Sequence, residues 1–159
     1  MAKLNVGDAA PDFSGTTTDG SKIALKDFRG KTLILYFYPK DDTPGCTAQA
    51  CSLRDANTEI KKKGAAVLGV STQNEDSHQR FAAKYNLNFP LLADTDKSVA
   101  KAYGAVGGNA GGGGLMSAAM SLAGFADRVT FVIDPKGKIA HIINSPETKN
   151  HAEEVLALI

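Results

Sequence analysis

Apolar and polar residues along the chain fall into two alternating textures. Thr32–Tyr38, Ala65–Ser71, Arg128–Asp134 and Lys138–Asn144 are short, nearly continuous apolar runs. Such runs predict strands buried on both faces of a sheet. Between them lie stretches in which apolar residues recur at helical spacing. Cys46–Lys63 carries Ala50, Leu53 and Ile60 among polar residues, and Gly64 then stops it as a C-terminal glycine. Asp76–Tyr85, Asp96–Tyr103 (stopped by Gly104) and residues 148–159 predict three further helices. Upstream, Asp19-Gly20 between short β-prone runs predicts an N-terminal hairpin, and the Asp134–Gly137 turn links the last two strands. Strands alternating with helices predict an α/β fold, layered around a mixed central sheet, as a single domain over residues 1–159.

One segment departs from this rhythm. Residues 107–114 read GGNAGGGG and are followed by the apolar stretch LMSAAMSLAGFA. No Gly-Lys-Ser/Thr closes the glycine run and no strand feeds it, so the expectation is a flexible connector rather than a phosphate loop. The apolar stretch suits a short helix, part of the core or a contact surface.

Charge and composition narrow the function. A net charge of +1 gives no electrostatic footprint for nucleic acid. The basic run Lys61–Lys63 reads as the solvated end of a helix, where cations are favoured. No apolar run approaches the length of about 20 residues that crosses a bilayer. The N-terminal residues MAKLNVGDAAPDF lack an apolar h-region, so a cytoplasmic location is expected.

The chemistry concentrates in the segment YPKDDTPGCTAQAC, residues 38–51, which holds both cysteines of the chain. A close pair in a reducing compartment points to catalysis or metal binding before structure. Thr43-Pro44-Gly45 follows a buried strand, and proline favours a helix start. Cys46 is therefore expected in the first turn of a helix, where free N–H groups and the positive dipole end favour the nucleophilic thiolate. Cys51 lies on the same helix, its Cα about 8.6 Å from that of Cys46 by helix geometry. A disulfide needs less than about 7 Å, so the two bond only if the first turns unwind. A metal site is not expected, because the three histidines, His78, His141 and His151, lie far from the cysteines in sequence. His78 and His151 are expected in solvent, and His141 as a packed or hydrogen-bonded sheet residue. Asp41 and Asp42 are expected to start the loop, solvated and pointing away from Cys46.

Pro39-x-x-x-Thr43-x-x-Cys46 matches the P-x-x-x-[TS]-x-x-C signature, and the segment resembles the active-site region of the peroxiredoxins. The second cysteine five positions on is typical of the peroxiredoxin Q (bacterioferritin comigratory protein) subgroup. GDAAPDF, KGAAVLGVS, FAAKYNLNFPLLADTD and RVTFVIDPKGKI follow in family order, so the resemblance spans nearly the whole chain. It implies a thioredoxin-like fold and a thiol peroxidase acting on hydrogen peroxide and organic hydroperoxides without a cofactor or metal. Cys46 would be the peroxidatic cysteine, passing through sulfenic acid, and Cys51 the resolving cysteine that closes an intramolecular disulfide. Thr43 would hydrogen-bond thiolate and peroxide, Pro39 would shield the pocket from water, and Arg128 would favour the thiolate and hold the peroxide. Gln49 stands where the subgroup carries Gln or Glu, with no role assigned. Thioredoxin or a similar dithiol would recycle the disulfide, in a protein expected to be a monomer, with a dimer open. The glycine run and LMSAAMSLAGF depart from the family's more polar or aromatic stretch. A redox sensor using the same cysteines is the competing function, separated from a peroxidase by turnover, and a plain structural thiol pair is the third.

Overall fold

The computed structural model describes residues 4–106, 124–144 and 146–159. The glycine run and most of the apolar stretch behind it lie outside these residues.

In chain order the elements are β1 (Ser14–Thr16), β2 (Lys22–Ala24), a 3-10 turn (Leu25–Phe28), β3 (Thr32–Phe37), α1 (Pro44–Lys62), β4 (Ala65–Ser71) and α2 (Glu75–Tyr85). Then come β5 (Leu91–Ala93), α3 (Ser98–Ala102), β6 (Val129–Ile133), β7 (Ile139–Ile143) and α4 (His151–Leu156). The hairpin β1–β2 is antiparallel. Its turn is organised by Asp19, whose carboxylate accepts from the Thr17 hydroxyl at 2.6 Å and the Ser21 amide at 2.9 Å.

Five strands form the main sheet in the order β5-β4-β3-β6-β7. β4 lies parallel to β3 and β5, whereas β6 runs antiparallel to β3 and β7 to β6. This is the mixed sheet that the apolar runs predict, in the thioredoxin-like arrangement that the resemblance implied. β5 is new: Leu91–Ala93 is too short for its period to register in sequence, and it exists because it completes the edge of β4. The helix starts differ as well. α1 begins at Pro44, with Thr43 as its N-cap, whereas α3 and α4 are shorter than the periodicity suggests.

Alternation along β3 assigns the two cores. Leu33, Leu35 and Phe37 pack with Phe13, Val70, Tyr103 and Phe131 on the face shared with the N-terminal segment and α3. Ile34, Tyr36 and Tyr38 pack with Cys46, Ala50, Leu53, Phe81 and Val155 on the face covered by α1, α2 and α4. Gly69 lets the second face close. A Cβ there would stand 2.7 Å from Leu91 and 2.9 Å from the Tyr36 ring. That packing puts the start of α1 beyond the carboxyl ends of the parallel strands β3 and β4, where open α/β sheets place their sites.

Candidate functional site

β3 runs out at Phe37, and Tyr38–Thr43 turn the chain into α1. Pro44 takes the first helical position with no donor to waste, and the first turn carries no acidic residue to oppose a thiolate. Cys46 therefore faces the positive end of a long helix. Its side chain is buried, while Cys51 is half-buried, and both are free thiols. The helix is continuous through both residues, so the pair is held apart in this conformation, as the spacing required.

Arg128 comes from the other side of the sheet's register. Phe37 pairs with Val129 across the antiparallel β3–β6 ladder, so the residue before Val129 stands beside the end of β3. From there one guanidinium nitrogen, Nη2, donates to Cys46 Sγ at 3.3 Å, and the other, Nη1, donates to Gln49 Oε1 at 2.7 Å. Gly45 makes room for it: a Cβ at that position would be 3.1 Å from Nη2. Since guanidinium nitrogens only donate, the Gln49 amide must turn its oxygen to the arginine. Its Nε2 is left buried without a hydrogen-bond partner. Gln49 thus has a definite place, orienting Arg128, that its position in the sequence did not reveal.

Pro39 is buried, and its carbonyl accepts from Gln73 Nε2 at 3.1 Å, with Ser71 Oγ 3.3 Å away. The Thr43 hydroxyl donates to the Lys40 carbonyl at 2.9 Å. Of the residues singled out in the sequence, Cys46 and Arg128 are in direct contact. Pro39 and Thr43 lie on the loop that leads to them, and Cys51 stands further down the helix.

Two expectations about acidic and basic side chains need correction. Asp41 is buried, not solvated. Its carboxylate accepts from the Tyr38 hydroxyl at 2.6 Å and the Ser77 hydroxyl at 2.7 Å, and lies 2.6 Å from His78 Nδ1. Asp42 is exposed as expected, paired with Lys84 at 2.8 Å and Tyr85 at 2.6 Å. These contacts hold its carboxyl below the usual range, the Lys84 bond first. His78 and His151 are both fully buried. In α2, His78 shares its face with the buried Phe81 three residues on, a spacing that the polar residues around it hid. His151 bonds the Thr130 hydroxyl at 2.8 Å and Glu154 at 3.1 Å, and burial pushes its imidazole below the ordinary range. The half-buried strand residue His141 agrees with expectation.

Under the site, Tyr36 is wholly buried with an unpartnered hydroxyl. Burial, the Cys46 sulfur and Asp41 push its phenol far up, against a smaller opposing pull from Arg128, so it stays a protonated donor. Among the described residues no group of His, Cys, Asp and Glu is arranged to hold a metal ion. Nor is any described helix long and apolar enough to cross a membrane.

Comparison with known proteins bears on this geometry. The AhpC/TSA family profile matches residues 6–142. Peroxiredoxin Bcp of Escherichia coli K12 is 43% identical over 156 residues, covering 98% of this chain and 96% of that protein. The chloroplastic peroxiredoxin Q of Populus jackii is 40% identical over 160 residues, covering 100% of this chain and 70% of that protein. Among solved structures, the bacterioferritin comigratory protein of Xanthomonas campestris, described for alkyl peroxide reduction, superposes with a TM-score of 0.80. It is 30% identical, over 99% of this chain and 96% of its own.

Proposed function

The chain belongs to the AhpC/TSA family and is a thiol-dependent peroxidase of the peroxiredoxin type; from that premise we propose that Cys46 is its peroxidatic cysteine and Cys51 its resolving cysteine. The observation that carries the assignment is the Arg128 guanidinium 3.3 Å from Cys46 Sγ at the start of α1, with Cys51 on the same helix.

The proposed cycle has three balanced steps. Cys46 thiolate attacks the terminal, hydrogen-bearing oxygen of a hydroperoxide. The O–O bond breaks, an S–O bond forms, and sulfur is oxidised to sulfenic acid as the peroxide is reduced to an alkoxide, which takes a proton to become the alcohol or water. Arg128 and the helix N-terminus supply fixed positive potential where the leaving oxygen gains charge. The first turns of α1 then unwind, Cys51 thiol attacks the sulfenic sulfur, and water leaves as the disulfide closes. A dithiol such as thioredoxin returns two electrons and two protons, restoring both thiols.

Thr43 fits its role through its present bond. A hydroxyl that donates its hydrogen to the Lys40 carbonyl keeps its lone pairs free to accept the peroxide proton and aim the O–O bond. The buried Pro39 closes the side of the loop against water. The proposed substrates are hydrogen peroxide and organic hydroperoxides, and the proposed form is a cytoplasmic monomer acting without nucleic acid or membrane.

Quenched-flow oxidation of the fully reduced protein by hydrogen peroxide, followed by intact mass, tests this. The expected result is oxidation orders of magnitude faster than a free thiol, ending in the loss of two hydrogens. Oxidation at the free-thiol rate overturns the assignment of Cys46. A product that gains oxygen without closing a disulfide overturns that of Cys51.

A further inference from the structure

The helix start must satisfy two opposed demands. It must hold Cys46 against Arg128 for attack, and it must unwind for Cys51 to be reached. Which backbone stays and which moves is written in the hydrogen bonds. Upstream of Asp42 the loop is fastened to parts of the sheet that need not move. Gln73, just past β4, bridges it, accepting from the Asp41 amide at 2.9 Å while donating to the Pro39 carbonyl at 3.1 Å. Ser71 donates to the same Gln73 oxygen at 2.8 Å. The Asp41 side chain then locks onto α2 through Ser77 and His78, and the other nitrogen of His78 meets the Leu92 carbonyl of β5 at 3.1 Å.

The chemistry of that last chain is restrictive. A carbonyl only accepts, so His78 Nε2 must carry a proton. Nδ1 and the Asp41 oxygen, 2.6 Å apart, must therefore share one more. Whichever atom holds it, the pair is neutral as a unit and every polar atom in it is engaged. A buried pair of this kind keeps its geometry because loss of either member strands the other. Downstream the picture changes. Asp42, in the left-handed region at φ 60°, is the last anchored residue, its carboxylate accepting from Lys84 and Tyr85 of α2, and Thr43 after it makes no side-chain capping bond to α1.

We propose that the buried Asp41–His78 pair is a latch that positions the β3–α1 loop, sets the boundary between held and releasable backbone at Asp42–Thr43, and biases α1 toward the state in which Cys46 meets Arg128. Neither residue touches the sulfur, so both are positioning residues. The proposal rests on the two-cysteine cycle above. Loosening the latch lowers the population of the reactive arrangement, which slows attack on peroxide, and it leaves disulfide closure unchanged or faster, because closure needs the helix start undone.

The test is quenched flow with intact mass on the full chain, reading the second-order oxidation of Cys46 and the first-order closure of the disulfide separately. Asp41→Asn is expected to cut oxidation about tenfold, as small misplacements of reacting groups do, with closure at or above the parental rate. Ser77→Ala, which removes one donor and keeps the pair, should shift the ratio of the two rates the same way by about two- to threefold. Proportionate loss in both steps, or no change in either, overturns the latch. Should Asp41→Asn fail to fold, Ser77→Ala decides alone, and an unshifted ratio overturns the proposal. A parental protein that never closes the disulfide overturns the cycle itself. A parental protein that cycles beside unshifted variants overturns only the latch.

Discussion

β3 and the residue after it, Tyr38, send alternate side chains to two faces that serve different ends. The face of Leu33, Leu35 and Phe37 is packed by aliphatic and aromatic side chains, with Phe37 edge-on to Phe131 at 5.9 Å and the hydroxyl of neighbouring Tyr103 bonded to the Pro11 carbonyl at 2.6 Å. The face of Ile34, Tyr36 and Tyr38 is equally buried but carries hydroxyls, a thiol, two amides and two imidazoles beneath its helices. Three buried side-chain polar atoms stand without a partner among the described residues, and two of them, Tyr36 Oη and Gln49 Nε2, lie around Cys46. A purely structural core rarely leaves such atoms unpaired, since each costs roughly 1–3 kcal/mol. The difference teaches where the strand serves stability and where stability yields to chemistry.

The comparison is broken most sharply by one substitution on each side. Arg128→Ala removes the guanidinium that donates to Cys46, and the rate constant for peroxide oxidation should fall by about 100-fold or more, as with loss of an oxyanion donor. Leu35→Ala on the other face should lower unfolding stability by about 2–5 kcal/mol while the oxidation rate per folded molecule stays at the parental value. If the two variants trade signatures, the division of labour between the faces is wrong.

A smaller effect sharpens the boundary. Tyr36→Phe deletes a buried hydroxyl that has no partner, so stability should hold or rise by about 1 kcal/mol in a denaturant titration. An unchanged oxidation rate would make that hydroxyl idle. A clear drop would make it a donor to the reacting oxygen.

The smallest effect is one of pH. His151, on the chemical face, has its pKa pushed below the ordinary 6.5, by burial first and against the smaller opposing pull of Glu154. The folded state therefore binds fewer protons than the unfolded state between that lowered value and 6.5. Stability is fully present above this window and falls as pH drops through it. Unfolding midpoints between neutral pH and the mildly acid range should decline in the parent and flatten in His151→Gln. Asp19, held down to about 2 by its turn bonds, responds only in far more acid solution. A parent with a flat profile through the window would contradict the neutral, buried imidazole.

Much of this was readable along the chain, and for local reasons. β3, β4 and β6 announce themselves because a strand buried on both faces must be apolar throughout, whereas β7, expected to be enclosed in the same way, is an apolar edge strand that is mostly half-buried. The glycine ends of α1 and α3 follow from the left-handed backbone at Gly64 and Gly104. Cys46 at a helix start and Cys51 out of reach follow from Pro44 and the helical rise. The roles proposed for Arg128, Thr43 and Pro39 rest on resemblance, because nothing in an isolated arginine before a strand says which way it turns.

What tertiary structure alone decided concerns side chains whose partners lie far off in sequence. Asp41 and Asp42 are neighbours of the same type, but one is buried on His78 and the other pairs with Lys84 at the surface. The choice depends on α2 packing some 36 residues on. Burial of His78 and His151 likewise required a carboxylate and a hydroxyl from other elements, Asp41 and Thr130. Periodicity records which face of a helix is apolar. It cannot record that a polar residue on that face has found its complement across the fold, because hydrogen-bond satisfaction is a property of the pair and only the assembled sheet brings the pair together.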